Sequence, residues 1–291
     1  MKVLVLGADG MLGHEMTRTL LLAGHDLVAT SRRPPAGQVR ESLAGAQLLS
    51  NIDVRLDGAL IPVVGDFRAD AVVNCIGIVK QRPQAKEALE SIRVNSLFPH
   101  ELSALCRAVG ARLIHVSTDC VFSGRTGNYN EDDIPDPLDL YGRSKLLGEV
   151  AGSGSLTLRT SIIGLEQSRE DSLVEWFLRQ DDVVPGWTRA FYSGLTTSAF
   201  SRLVARILEE CPGLDGLWHV SAAPISKHDL LVLLRDALGR HVQIRPDDSV
   251  AMNRVLDSGR FRAHTGYEPP DWTLMIDELA MAVKQREEQR V

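Results

Sequence analysis

Lys2-Val3-Leu4-Val5-Leu6 leads directly into Gly7-Ala8-Asp9-Gly10-Met11-Leu12-Gly13, and a helical pattern then continues to Ala23. The five-residue run has the apolar content of a buried strand. Leu12, Met16, Leu20 and Ala23 recur every three or four residues, as one face of a helix does, and Gly24 is placed to stop it. Between strand and helix, three glycines stand at G-x-x-G-x-x-G spacing. Gly7 permits a tight turn, Gly10 leaves the backbone open to a pyrophosphate, and Gly13 lets the helix pack close to the sheet. The helix N-terminus presents free N–H groups and the positive end of its dipole to phosphate oxygens. Strand, turn and helix in this order are what a dinucleotide-binding crossover requires.

Outward from this unit the alternation continues. Residues 26–30, 46–50, 71–75, 112–117 and 156–163 read as strands, and a helix spans 91–109 before Gly110. Val/Ile/Leu-rich strands suit a sheet covered on both faces, and strands alternating with helices imply right-handed crossovers. The expected fold is α/β: a Rossmann-type doubly wound parallel sheet in residues 1–165, completed by 196–223. A smaller C-terminal substrate-binding domain takes 166–195 and 224–291. There, 168–189 reads as a polar stretch carrying Trp176, Phe177 and Trp187. Residues 198–209 read as a helix and 217–221 as a strand. Ser226 caps a helix to Leu238, and a last helix follows Pro269-Pro270 into the charged tail 284–290.

Composition excludes several classes. Of the 291 residues, 44% are hydrophobic and 24% charged, the balance of a globular chain. No segment approaches the ~18 uncharged apolar residues of a membrane span; residues 20–29 come nearest and are broken by Gly24, His25 and Asp26. The apolar run Val3 to Leu6 is too short for the core of a signal peptide, so the expected location is cytoplasmic. Lys plus Arg number 32 against 38 Asp plus Glu, a net charge of -6, which offers no basic surface for nucleic acid. Cys75, Cys106, Cys120 and Cys211 form no C-x-x-C pair, and no His cluster has zinc spacing. Reduced thiols and no metal are expected.

At the end of the second strand a carboxylate would select NAD by holding the ribose 2′-hydroxyl. This chain has Ser31, Arg32 and Arg33 there. Arginine pairs bidentately with a 2′-phosphate, so NADPH is favoured and NADH is the alternative; two surface arginines before Pro34 are the plainer reading. Asp53-Val54 follow the third strand, either as an acceptor for the adenine amino group or as an ordinary Asp turn. Tyr141 and Lys145 stand four apart, on one face of a helix. An ammonium beside the phenol would lower the tyrosine pKa and make Tyr141 a usable proton donor. Ser117-Thr118-Asp119 close the fifth strand, where open α/β sheets bind ligands, and the Thr118 hydroxyl can bond a substrate carbonyl. Trp187 and Arg189, near Tyr192, suit a nucleotide base and diphosphate, although core and rim packing is the stronger reading.

These motifs resemble those of the extended short-chain dehydrogenase/reductases: Gly7-x-x-Gly10-x-x-Gly13, Asn74-Cys75-Ile76-Gly77, and Tyr141-x-x-x-Lys145. More narrowly, the chain resembles the dTDP-4-dehydrorhamnose reductase group of nucleotide-sugar reductases. That likeness rests on the run from Val116 to Gly124, on Glu131-Asp132-Asp133, on the run from Pro137 to Glu149, on Arg159-Thr160-Ser161 and on Pro270-Asp271-Trp272. The resemblance implies that Thr118 and Tyr141 hold the substrate carbonyl and that Tyr141 delivers the proton. It implies that Lys145 lowers the Tyr141 pKa and holds the nicotinamide ribose. It places Gly10, Met11 and Leu12 on the pyrophosphate, Asp53 and Val54 by the adenine, and Cys75, Ile76 and Gly77 along the middle of the cofactor. Thr118 and Asp119 line the sugar site, and Asn95 matches a residue that supports the lysine. Two departures touch the substrate side: Ile162 where an aromatic residue is common, and Ile78-Val79-Lys80-Gln81 where a small-residue and His loop is common. The expected activity is reduction of the 4-keto group of a nucleoside-diphosphate 4-keto-6-deoxy sugar, by an enzyme that forms a homodimer. The alternatives are an epimerase or dehydratase of the same superfamily, or a non-catalytic NADP-binding regulatory subunit.

Overall fold

The computed structural model describes residues 1–80, 83–167 and 172–288. Gln81, the opening of the polar stretch at 168–171 and the tail end at 289–291 lie outside the described residues. The strands are β1 (Lys2–Leu6), β2 (Asp26–Thr30), β3 (Gln47–Leu49), β4 (Ala71–Asn74), β5 (Arg112–Thr118) and β6 (Ser155–Thr160). They continue with β7 (Ile162–Ile163), β8 (Val183–Tyr192), β9 (Leu195–Thr196), β10 (Gly216–His219), β11 (Ile225–Ser226) and β12 (Gln243–Asn253).

Seven of these form one parallel sheet in the order β10-β6-β5-β4-β1-β2-β3. Alternate residues of β1 serve the two faces, as the strand period demands. Val3 and Val5 pack with Met16, Leu20, Phe200 and Val204; Leu4 and Leu6 pack with Val64, Phe98 and Leu102. The Rossmann-type sheet expected from the first half is therefore the core of the molecule. Its order reverses between β1 and β4, which pair with Leu6 opposite Asn74. The chain leaves β1 for a helix on one face of the sheet and β4 for a helix on the other, which opens a crevice at their C-terminal ends, the place where such sheets bind ligands.

Three readings change. The strand expected over 156–163 breaks at Ser161, and Ile162–Ile163 pairs instead with β9. The helix expected over 91–109 is a short α-turn (Ala88–Ser91), a π-helical segment (Ile92–Leu97) and an α-helix (Phe98–Val109). Pro99 has no N–H to give to the carbonyl four residues back, which is that of Asn95, and the backbone widens there. The polar stretch after residue 172 holds a helix (Leu173–Leu178) and the ten-residue β8, which forms a second sheet in the order β11-β8-β12. Pro185 and Gly186 disguise β8 in the sequence. At Pro185 the strand is bonded along one edge, by β12, because β11 pairs only at Phe191 and Tyr192. Gly186 lies against Ile244 and His228, where a Cβ would clash. Ser226 caps the helix Lys227–Leu238 by accepting from Asp229 N, as expected.

Candidate active site

The turn after β1 forms one wall of a groove. Gly7 has φ +87°, a value that glycine alone adopts freely. Gly13 is pressed onto the Gly7 carbonyl, so that any side chain there would overlap the turn. The helix that follows (Met11–Leu22) has no side-chain cap at Gly10, which leaves its first-turn N–H groups, those of Met11 and Leu12 included, free for a ligand. Gly7, Gly10, Ser31, Arg32, Asp53, Val54, Cys75, Ile76 and Gly77 all line this groove. Gly13 supports the turn from behind. Ser31 is buried and Arg32 exposed at the rim. Burial pushes the Cys75 thiol up to about 12, leaving it uncharged. An uncapped helix N-terminus, glycine where a side chain would block the approach and an exposed arginine at the rim fit a phosphate-rich dinucleotide.

Asp53 faces the groove, but its carboxylate is engaged. It accepts from Arg55 Nη2 at 2.5 Å, Arg55 Nε at 2.9 Å and the Arg55 backbone N–H at 3.0 Å, and these bonds hold its pKa below the usual carboxylate range. Arg55 Nη1 also donates to Glu90 at 3.1 Å. Asp53 is thus both an Asp turn and a wall of the groove. Arg55 and Glu90 are groove residues the sequence reading missed, because no motif marks them.

The second half of the site gathers at the C-terminal end of β5. Thr118 Oγ1 accepts from Cys120 N at 3.1 Å and donates to Asp119 Oδ1 at 3.2 Å. Asp139 caps the helix Leu140–Leu147 by accepting from Gly142 N at 2.8 Å. Gly142 has no side chain to hold that helix off the Cys120 carbonyl, so Tyr141 comes close beside the Thr118 hydroxyl. Lys145, one turn on, is buried; its ammonium donates to the Val116 carbonyl at 2.7 Å and stands 3.4 Å from His115 Nε2. Asn95 does not bond the lysine. It accepts from Ile78 N at 2.9 Å and donates to Ile78 O at 3.0 Å and Ser144 Oγ at 3.1 Å, fixing the groove loop to the tyrosine helix.

The electrostatics correct one expectation. Tyr141 is raised above the ordinary phenol value, first by burial and next by Cys120, with Asp119 and Asp139 adding to it and the Thr118 hydroxyl opposing it. Lys145 is itself lowered to about 8 by burial. Desolvation therefore dominates, and Tyr141 rests as a neutral donor. Burial also raises Asp119, opposed by Arg254. Arg254, unmarked in the sequence, follows β12 and donates to Cys120 Sγ at 3.2 Å and the Phe122 carbonyl at 3.0 Å. It ties the turn after Thr118 to the second sheet. Trp187 stacks under the Lys227 ammonium at 5.3 Å and Arg189 is exposed, in keeping with packing and rim roles.

Comparison with known proteins agrees with this geometry. The sequence profile described as RmlD substrate binding domain matches residues 1–284. A probable low-salt glycan biosynthesis reductase, Agl14, of Haloferax volcanii is 30% identical over 234 residues, 76% of this chain and 75% of that one. The dTDP-4-dehydrorhamnose reductase of Streptomyces griseus is 28% identical over 295 residues, 91% and 88% of the two chains. Methionine adenosyltransferase 2 subunit beta of Mus musculus is 25% identical across 95% of this chain and 89% of that one. Among solved structures, dTDP-4-dehydrorhamnose reductase from Bacillus anthracis in complex with NADP superposes with a TM-score of 0.80. It covers 97% of this chain and 99% of its own, and at 20% identity the likeness is one of fold.

Proposed function

Because this chain belongs to the RmlD substrate-binding-domain family of extended short-chain dehydrogenase/reductases, we propose that it is an NADPH-dependent reductase of a nucleoside-diphosphate 4-keto-6-deoxy sugar. Its product would feed polysaccharide or glycoconjugate synthesis. One observation carries the reading: Thr118, Tyr141 and the buried Lys145 meet at the end of β5, in the same sheet whose β1–β4 crevice holds the glycine groove.

Gly7 and Gly10, with the first-turn N–H groups of Met11 and Leu12, would cradle the pyrophosphate. Ser31 and Arg32 would receive the 2′-phosphate, Asp53 and Val54 would flank the adenine, and Cys75, Ile76 and Gly77 would run along the middle. When bound, NADPH supplies the hydride for the keto carbon. The Thr118 and Tyr141 hydroxyls orient the carbonyl oxygen and stabilise the charge that develops on it. Tyr141, a neutral phenol, gives that oxygen its proton. Asp119 lines the sugar side. Residues 166–195 and 224–291, which carry β8 and β12, are assigned to the nucleotide-sugar.

The test is NADPH oxidation across dTDP-, UDP- and GDP-linked 4-keto-6-deoxy sugars. Consumption with at least one supports the reading, and consumption with none ends it. The relative named as an adenosyltransferase subunit favours a second reading, a cofactor-binding regulatory subunit. Tight NADPH binding with no sugar turned over would select it. Cofactor that co-purifies oxidised and does not exchange would point instead to an epimerase or dehydratase.

A further inference from the structure

His115 lies in the middle of β5, fully buried, opposite its register partner Asn74 on β4. Its state follows from geometry. Asn74 Oδ1 accepts the backbone N–H of Ile76 at 3.0 Å. The other end of the amide, its NH2 group, therefore faces His115 Nδ1 at 3.1 Å. Turning the amide over would set NH2 against the Ile76 N–H, donor against donor, so its orientation is determined by the network. An amide nitrogen only donates. Nδ1 must accept, and the single proton of the neutral imidazole sits on Nε2.

Nε2 is the atom that faces Lys145, 3.4 Å from Nζ. An ammonium has three N–H donors and no lone pair, so the charged lysine would set donor against donor here as well. The neutral amine has a lone pair for the imidazole N–H and still donates to the Val116 carbonyl at 2.7 Å. We propose that Asn74 and His115 are positioning residues for Lys145: the locked imidazole presents an N–H to the lysine nitrogen and favours the amine over the ammonium.

The other groups that face the pair are few. Glu149 favours the lysine charge, in opposition to burial. His100, on the helix packed behind, joins Lys145 in opposing a charge on His115. Ser144 and Asn95, alongside, are uncharged. The balance lets Lys145 change charge near pH 8, inside the working range rather than above it. Resting on the reductase reading, this makes Lys145 a gate. Below that point an ammonium stands ready to stabilise a Tyr141 phenolate; above it the amine does not, and turnover falls as pH rises.

Two measurements on the full chain test this. The first is NMR of protein labelled with 15N at histidine and 13C at the lysine ε-carbon, with no sugar present. His115 is expected as the neutral Nε2–H form from pH 6 to 9, with Lys145 titrating near 8. An Nδ1–H tautomer or an imidazolium would overturn the proposal. The second uses Asn74→Asp and His115→Gln. A carboxylate at 74 accepts from Nδ1–H and turns the Nε2 lone pair toward the lysine; a glutamine at 115 can present its oxygen. In each, the Lys145 midpoint should rise by about one unit, tenfold in proton affinity, and the falling limb of NADPH oxidation should move with it. An unmoved midpoint in both folded variants also overturns the proposal. Should either fail to fold, the tautomer measurement on the unmodified protein still decides. Expected tautomer and titration with no sugar reduced by the unmodified protein would end the reductase reading and leave this inference standing.

Discussion

Tyr141 enters the proposed reaction as a neutral phenol whose burial strengthens its hold on the proton. Tyr141→Phe removes that proton and nothing that the glycine groove uses. NADPH affinity measured by fluorescence should stay near that of the unmodified protein, while turnover falls by about 10²–10⁴, the usual worth of a positioned acid. Arg32, exposed at the groove rim, has the opposite signature. Arg32→Ala should weaken NADPH about tenfold, the scale of one solvent-facing charge-assisted bond, and leave NADH unchanged; equal effects on both cofactors would remove Arg32 from the 2′-phosphate. The meeting of Tyr141, Lys145 and Thr118 was legible because it follows from spacing along one helix and position at a strand end. His115, Asn74, Arg55 and Arg254 were not, since each matters through a partner 35 to 134 residues away that only the folded arrangement brings close. The tyrosine's electrostatics were misread for a related reason: a pair on one helix face suggests attraction, whereas the depth of burial that outweighs it is a property of the folded site.

Elements set these side chains by how closely they approach. Gly142 lies on the Cys120 carbonyl, so the helix Leu140–Leu147 and the turn after β5 meet backbone to backbone there. Gly142→Ala should keep the protein folded, cost about 1–3 kcal/mol in urea unfolding as an overpacked contact does, and lower turnover with little change in NADPH binding, by drawing Tyr141 away from Thr118. The π-segment Ile92–Leu97 has its own link to that helix. Asn95 donates to Ser144 Oγ, and Ser96 Oγ donates to the Ser144 carbonyl at 2.8 Å. Ser144→Ala removes the first bond and the one from Ser144 Oγ to the Tyr141 carbonyl, and should cost about 1–2 kcal/mol of stability, read by the same unfolding curve. β1, β2 and the glycine turn were readable from apolar runs and spacing. β8 and β12 were not, because their exposed faces carry Pro185, Arg189, Arg245 and Asp248 and mimic loop composition. The π-segment shows in the sequence only as Pro99, which marks a disturbance without giving its form.

The whole molecule carries several buried histidines that are neutral in the fold. His219 is held so by its bonds: Nδ1 faces the Tyr129 carbonyl at 3.0 Å, which requires a donor, and Nε2 faces Arg159 Nη1 at 3.2 Å, which requires an acceptor. Burial and the arginine lower its pKa from 6.5 to about 4, and His115 is lowered in the same direction, first by burial. As pH falls below about 6.5 the unfolded chain takes up protons that the fold refuses, so stability declines through about pH 4. His219 alone accounts for on the order of 3 kcal/mol of that loss. Tm should fall steadily from pH 6.5 to 4, and His219→Gln, which can keep both hydrogen bonds, should flatten the decline. A flat Tm over that range would show these rings protonated in the folded protein. The seven-stranded sheet that buries them also brings the glycine groove and the Thr118–Tyr141–Lys145 cluster to one edge, and the proposed activity depends on hydride crossing between them. NADPH carrying deuterium at both C4 positions of the nicotinamide tests that transfer, with the sugar product read by mass and NMR. One deuterium at sugar C4 for each NADPH consumed is the predicted result; sugar converted without deuterium, or with no net loss of NADPH, would contradict it.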